Sequence, residues 1–251
     1  MTQAPDHSAP DMSRRAFLAA AGAVTGLALA PGVTLFAPAM ARPVGTAASD
    51  KVRWGLLIDL NKMDDGGAKG VAACSAENGW VAAEGSTTDA RWIRTLKVSN
   101  PANKTVQTLP MMCQHCAEPP CVDVCPTGAS MKRADGIVLV DKHTCIGCRY
   151  CVLACPYGAR SFIHEPLTGQ RSHAPRGKGT VESCTLCVHR VDADREPACV
   201  EAYGGSKQGA MVFGDLNDPE SDISKLVATY ATHQVRSDLG TRPGVWYRGL
   251  A

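Results

Sequence analysis

An α+β fold of long loops, short β-hairpins and few helices, arranged as two pseudo-symmetric halves, is what this sequence predicts. Three observations carry the expectation. Two runs of four cysteines occupy the middle of the chain, Cys113-x2-Cys116-x4-Cys121-x3-Cys125-Pro126 and Cys145-x2-Cys148-x2-Cys151-x3-Cys155-Pro156. Incomplete copies of the same run flank them, one ending at Cys74 and one beginning at Cys184. Aromatics make up only 5% of the 251 residues while Gly and Pro number 24 and 16, so an ordinary apolar core is thin and the twelve cysteines must supply part of the cohesion.

The chain opens with a targeting segment. Ser13-Arg14-Arg15-Ala16-Phe17-Leu18 precedes an uncharged stretch from Ala19 to Met40, and Ala39-Met40-Ala41 fits a small-x-small cleavage site. A twin arginine before a moderately apolar stretch is the signature of bacterial Tat export. Residues 1–41 therefore read as a removable signal peptide and the mature protein as periplasmic. A retained membrane anchor is the other reading, but Pro31 and Pro38 make the stretch a poor spanning helix. Export of a folded chain suits a protein whose metal is inserted in the cytoplasm. The formal net charge of +2, with no basic helix or aromatic-basic patch, leaves no nucleic-acid footprint.

Beyond the signal, Arg53–Leu60 reads as a short buried strand followed by turn residues. In Asp64-x2-Gly67-x2-Gly70-x3-Cys74 the spacing matches the second cysteine run, with Asp64, Gly67 and Gly70 where thiols would stand. Taken alone, Cys74 reads as a small buried hydrophobe. Residues 75–110 read as a connecting segment with one strand at Arg91–Val98. A hairpin is expected over Ala129–Val140 with Asp135-Gly136 as its turn, then a strand from Ala159 to His164 and a solvated loop over Leu167–Gly179. Cys184-x2-Cys187-x11-Cys199 repeats the first run with a longer insert, and Tyr203 takes the fourth place. Gly128-Ala129, Gly158-Ala159 and Gly209-Ala210 each lead into a short strand, the last at Met211–Phe213. A surface helix from Asp218 to about Val235, with Pro219 in its first turn, and an extended tail over Leu239–Leu250 complete the expectation. The chain thus holds four versions of one unit, two complete and two degraded.

Each complete run ends C-x3-C-P, the ending in which three cysteines bind one iron–sulfur cluster and the fourth serves a neighbour. Soft thiolates suit iron–sulfur or zinc, but a zinc ribbon uses two C-x2-C pairs rather than two runs of four. If the inner runs exchange their fourth cysteines, Cys113, Cys116, Cys121 and Cys155 form one site and Cys125, Cys145, Cys148 and Cys151 a second. If the outer units exchange likewise, Cys74, Cys184, Cys187 and Cys199 form a third. The remaining set, Asp64, Gly67, Gly70 and Tyr203, contains no thiol. Twelve cysteines then fill three four-thiolate sites, the expected cofactors being three [4Fe-4S] clusters. The other reading is a three-ligand [3Fe-4S] site at Cys184, Cys187 and Cys199 with Cys74 inert. His115, His143 and His189 form no acid–base constellation, and His115 and His189 read as groups beside the ligands or at the surface. No catalytic residue is expected.

At these motifs, "CQHCAEPPCVDVCPTGA", "CIGCRYCVLACPYGAR", "CTLCVHR", "VFGDLNDP" and the tail "LGTRPGVWY", the chain resembles the four-cluster ferredoxin-like iron–sulfur subunits of the NrfC, PsrB and DmsB type, over about residues 53–251. The resemblance implies a double dicluster-ferredoxin fold. Residues 42–108 and 180–251 would make the outer half, and 109–179 the inner half. It also implies an electron-transfer subunit, not an enzyme, docked to an NrfD-like integral membrane subunit that handles quinone. In that family the site missing here faces a molybdenum catalytic subunit. An exported member lacking it most resembles the periplasmic ferredoxin-like subunit of a membrane complex of dissimilatory sulfur metabolism, which adds a periplasmic multihaem cytochrome c as a partner. The alternative is an electron-transfer subunit of a molybdopterin or nitrite reductase-type oxidoreductase.

Overall fold

In a computed structural model, residues 47–81, 88–100 and 104–250 are described. The twin-arginine segment and its cleavage site lie outside the described residues. The fold is α+β, with helices of four to eleven residues and small sheets. No helix among the described residues is long and apolar enough to cross a membrane.

Strand β1 (Trp54–Asp59) anchors the one sheet larger than a hairpin among the described residues. Its order is β8 (Met211–Asp215), β1, β10 (Val245–Arg248), β9 (Thr232–His233). β1 runs parallel to β10, with Leu56 opposite Val245, and antiparallel to β8, with Ile58 opposite Met211. Side chains alternate across a strand, and the alternation here separates two cores. Leu56 and Ile58 pack among Cys74, Cys184, Trp80 and Trp92, whereas Leu57 joins Val212 and the fully buried Ile223 on the opposite face.

The expected extended tail is thus corrected. Val245 and Tyr247 are buried and β10 lies inside the sheet, its parallel partner nearly 200 residues away and so invisible to local pattern. The helix after β8 is also shorter than expected. It spans Asp222–Thr229, and Ser221, not Pro219, starts it: the Ser221 hydroxyl accepts the Ser224 N–H while donating to Asp215 O.

The connecting segment holds more order than its composition suggests. Helix α1 (Ala68–Asn78) runs into it, and β2 (Ile93–Ser99) forms a hairpin with β3 (Val106–Met112). Pro110 within β3 is tolerated because a two-stranded ribbon has only edges. The hairpin of β4 (Ser130–Lys132) and β5 (Val138–Val140) forms where expected, around Asp135-Gly136. The strand after the second cysteine run is only Ser161–Phe162 (β6), paired with Val181–Glu182 (β7). The loop between them is not simply solvated. Arg176 is buried against the fully buried Glu182, Nη2 to Oε1 at 2.7 Å, and donates Nη1 to Gly79 O at 2.8 Å.

Four short helices lie within or directly after the cysteine motifs. They are α2 (Pro120–Asp123), α3 (Tyr150–Ala154), α4 (Val188–Val191) and α5 (Ala198–Glu201). With Asp222–Thr229 as α6, the outer helices α1 and α5 pack together, and so do the inner helices α2 and α3.

Candidate iron–sulfur centres

The four units share one backbone device. The residue before the second ligand position has a positive φ in every unit: Gly66 at 61°, His115 at 43°, Gly147 at 70° and Leu186 at 52°. Such angles are uncommon outside glycine, so sterics alone do not select them in His115 and Leu186. They serve to turn backbone N–H groups toward sulfur: Leu186 N–H donates to Cys184 Sγ at 3.4 Å, and His115 N–H to the Cys113 sulfur. The Gly-Ala pairs repeat as well. Gly128, Gly158 and Gly209 all take positive φ, and Ala129, Ala159 and Ala210 behind them are buried. In the complete units this turn sends Ser130 N–H to Cys125 Sγ at 3.3 Å and Ala159 N–H to Cys155 Sγ at 3.4 Å.

The helix pairing brings the thiols together in groups. Cys113 and Cys116 both lie in the electrostatic field of Cys121 and Cys155. Cys151 lies in the field of Cys145 and Cys125, while Cys148 is exposed at the surface. Cys74, Cys184, Cys187 and Cys199 line one cavity with Leu56, Trp92 and Met112. Cys74 is therefore not isolated from the three cysteines that follow it by more than a hundred residues. The groups also neighbour one another. Cys184 of the third feels Cys113 of the first, and Cys151 of the second feels Cys121 of the first.

All twelve thiols are unbridged. Burial pushes Cys113 up to about 12 and Cys116 up to about 11, and pushes Cys74, Cys184 and Cys199 well above the usual thiol range. Buried thiolates at this density need a metal to carry their charge. The surrounding donors fit that requirement. Arg160 is buried and gives Nη2 to Cys121 Sγ at 3.1 Å, yet its Nε and Nη1 have no partner. The His115 ring accepts Val138 N–H at Nδ1, burial lowers its pKa to about 3, and its remaining proton therefore sits on Nε2, which is buried and also unpartnered. Leaving such donors unsatisfied costs about 1–3 kcal/mol each. An anionic cluster bearing acceptor sulfides suits them better than a single zinc ion would.

At the third group the side chains replace what the degraded motif lacks. Trp80 Nε1 donates to Cys74 Sγ at 3.3 Å, and Asn78 Nδ2 lies 3.6 Å from the same sulfur. The sequence reading missed Trp80, Asn78 and Arg160. Arg160 carried a usable signal, a charge inside an otherwise apolar segment directly behind a Gly-Ala turn.

The thiol-free set is closed by protein. Tyr203 donates its hydroxyl to Asp65, which also accepts the Gly67 and Lys69 N–H groups at the start of α1. A side chain at Gly67 would meet Pro110 at 2.7 Å. One at Gly70 would crowd Met211, Tyr203 and Cys199 at 3.3–3.5 Å.

Residues 104–216 match the family model of the 4Fe-4S dicluster domain. The chain is 40% identical to the Hdr-like menaquinol oxidoreductase iron-sulfur subunit 1 of Archaeoglobus fulgidus, covering 95% of this chain and 98% of that protein. It is 37% identical to a tetrathionate reductase subunit of Salmonella typhimurium, over 96% and 89% of the two chains. It is 34% identical to the menaquinone reductase iron-sulfur cluster-binding subunit of Nitratidesulfovibrio vulgaris, over 78% and 89%.

Proposed function

Because this chain belongs to the family of iron–sulfur electron-transfer subunits that carry the 4Fe-4S dicluster domain, we propose that it wires a membrane quinone-interacting subunit to a redox partner through three [4Fe-4S] clusters. It is not the catalytic subunit of its complex. Cys113, Cys116, Cys121 and Cys155 hold the first cluster, and Cys125, Cys145, Cys148 and Cys151 the second. Cys74, Cys184, Cys187 and Cys199 hold the third. When bound, each cluster supplies a one-electron carrier whose potential follows burial and hydrogen bonds to sulfur. The observation that carries this reading is the gathering of Cys74 with Cys184, Cys187 and Cys199 around one cavity, while Tyr203 and Asp65 close the fourth set.

The series then runs third, first, second. Its second-site end is open: Cys148 is exposed, and so are its chain neighbours Ile146 at 67%, Tyr150 at 58% and Leu153 at 84%. Those apolar side chains suit a hydrophobic partner, the NrfD-like integral membrane subunit. The quinone chemistry in the names of the Archaeoglobus and Nitratidesulfovibrio relatives supports such a neighbour. With the twin-arginine segment, the reading extends to a periplasmic, Tat-exported subunit of the DsrO kind in a DsrMKJOP-like complex of dissimilatory sulfur metabolism, with a multihaem cytochrome c as the soluble partner. The alternative, a subunit of a molybdopterin or nitrite reductase-type oxidoreductase, is disfavoured by the closed fourth set.

Iron and acid-labile sulfide analysis of the purified mature protein tests the cofactor count. About twelve irons in three clusters of four are expected, with broad absorbance bleached by dithionite. About sixteen irons would overturn the closed-site argument, and zinc without sulfide would overturn the cluster reading. Identification of the copurifying subunits tests the partners.

A further inference from the structure

We propose that Glu77, His173 and His189 form a mononuclear site for a divalent transition cation of the zinc type, separate from the cysteine centres. The three come from three segments: α1, the loop between β6 and β7, and α4. Their ligand atoms all lie within 4.8 Å of one another. His189 Nε2 is 2.8 Å from Glu77 Oε1, and the rings of His173 and His189 stack at 3.8 Å between centroids and 26° between planes. His173 Nε2 also lies 3.0 Å from the Glu77 carbonyl oxygen.

The surroundings orient the carboxylate. Arg190 Nη1 holds Glu77 Oε2 at 3.1 Å, which leaves Oε1 facing the imidazoles. Arg190 is itself fixed by Glu196 O at 2.8 Å through Nε and by an ion pair with Glu201, so its charge is shared rather than aimed at the site. Ligand groups held by a second set of hydrogen bonds in this way are the usual support of a metal site. Imidazole and carboxylate bind zinc at about 2.0–2.2 Å, which places tetrahedral ligand atoms about 3.3–3.6 Å apart. The side chain of His173 is exposed, and its rotation closes the remaining difference and leaves water the fourth position. The site would pin the loop of residues 167–179 onto the two helices next to Cys74 and Cys187. It does not depend on the electron-transfer reading.

The test uses the cluster-loaded protein, stripped of loosely held metal by chelator and dialysed against micromolar Zn2+. One zinc per chain is expected beyond the iron, with a zinc-edge absorption spectrum of nitrogen and oxygen scatterers and no sulfur. His173→Ala should weaken zinc retention about tenfold or more with iron content and cluster spectra unchanged; Glu77→Gln is the second variant. Failure to retain zinc, equal retention by His173→Ala, or sulfur in the zinc shell would each overturn the proposal.

Discussion

The Tyr203 hydroxyl lies 2.7 Å from one Asp65 carboxylate oxygen and 2.9 Å from the other, across 138 residues of sequence. The contact stands where the fourth unit of the repeat would meet the first. It turns a ligand set without thiols into a structural joint between the start of α1 and the end of α5. Tyr203→Phe is expected to leave iron content unchanged and to lower stability by about 1.5–3 kcal/mol, the scale of a hydrogen bond to a charged group. A change in cluster number would contradict the joint.

The same joint has a pH signature. Slight burial opposes ionisation of Asp65, but the Lys69 N–H, Tyr203 hydroxyl and Gly67 N–H bonds outweigh it and hold its pKa below the ordinary carboxylate value of 3.8. A depressed folded pKa contributes stability above the unfolded value, and that contribution is lost as pH falls through the folded one. Asp65→Asn should therefore be less stable than the parent at neutral pH, and the gap should narrow below about pH 4. Denaturant unfolding at the two pH values reads it; a constant gap speaks against the assignment.

Arg160 offers a test of the inner centres. Its buried guanidinium donates to Cys121 and lies in the field of Cys113, Cys151 and Cys155. Replacing it by Met removes a positive charge from beside two clusters and should lower both potentials. A loss of about 1–2 kcal/mol in charge stabilisation corresponds to roughly 40–90 mV for one electron. A redox titration followed by electron paramagnetic resonance should show the third cluster unshifted.

Cys74→Ser should damage one centre only. The expected result is loss or conversion of a single cluster, with the spectra of the other two intact. Unaltered iron and spectra would remove Cys74 from the ligand set.

Leu153→Glu addresses docking. The side chain is 84% exposed, so stability should change by no more than about 0.5 kcal/mol. Iron content should be unaffected while copurification with the membrane partner falls. Undiminished copurification would move the docking face elsewhere.

What could be read from the residues depended on how locally each feature was encoded. The cysteine spacings, the Gly-Ala turns and the Asp135-Gly136 hairpin act over a few residues, and the structure contains each of them. The meeting of Cys74 with Cys184 could be reached only through the repeat, because it is a counting argument rather than a local pattern. β10 and β7 escaped because their hydrogen-bond partners lie far away or in two-residue pairings. Arg176 looked like loop charge because its partner Glu182 shows no apolar signature of burial. Ser221 was overlooked beside Pro219, although a hydroxyl able to accept the Ser224 N–H is the stronger start signal.

The position of β10 sets an order of events for biosynthesis. β1 emerges from the ribosome well before its parallel neighbour, which lies at residues 245–248. Until residues 245–248 have been made, β1 lacks that partner, and Trp54–Asp59 presents an apolar edge of the kind that pairs with foreign strands. Leu56 and Ile58 on that strand wall the core that holds Cys74 and Cys184. Final closure around the third group of thiols therefore waits on residues 245–248, and a chain that stops short of them would leave the sheet incomplete and that group less enclosed.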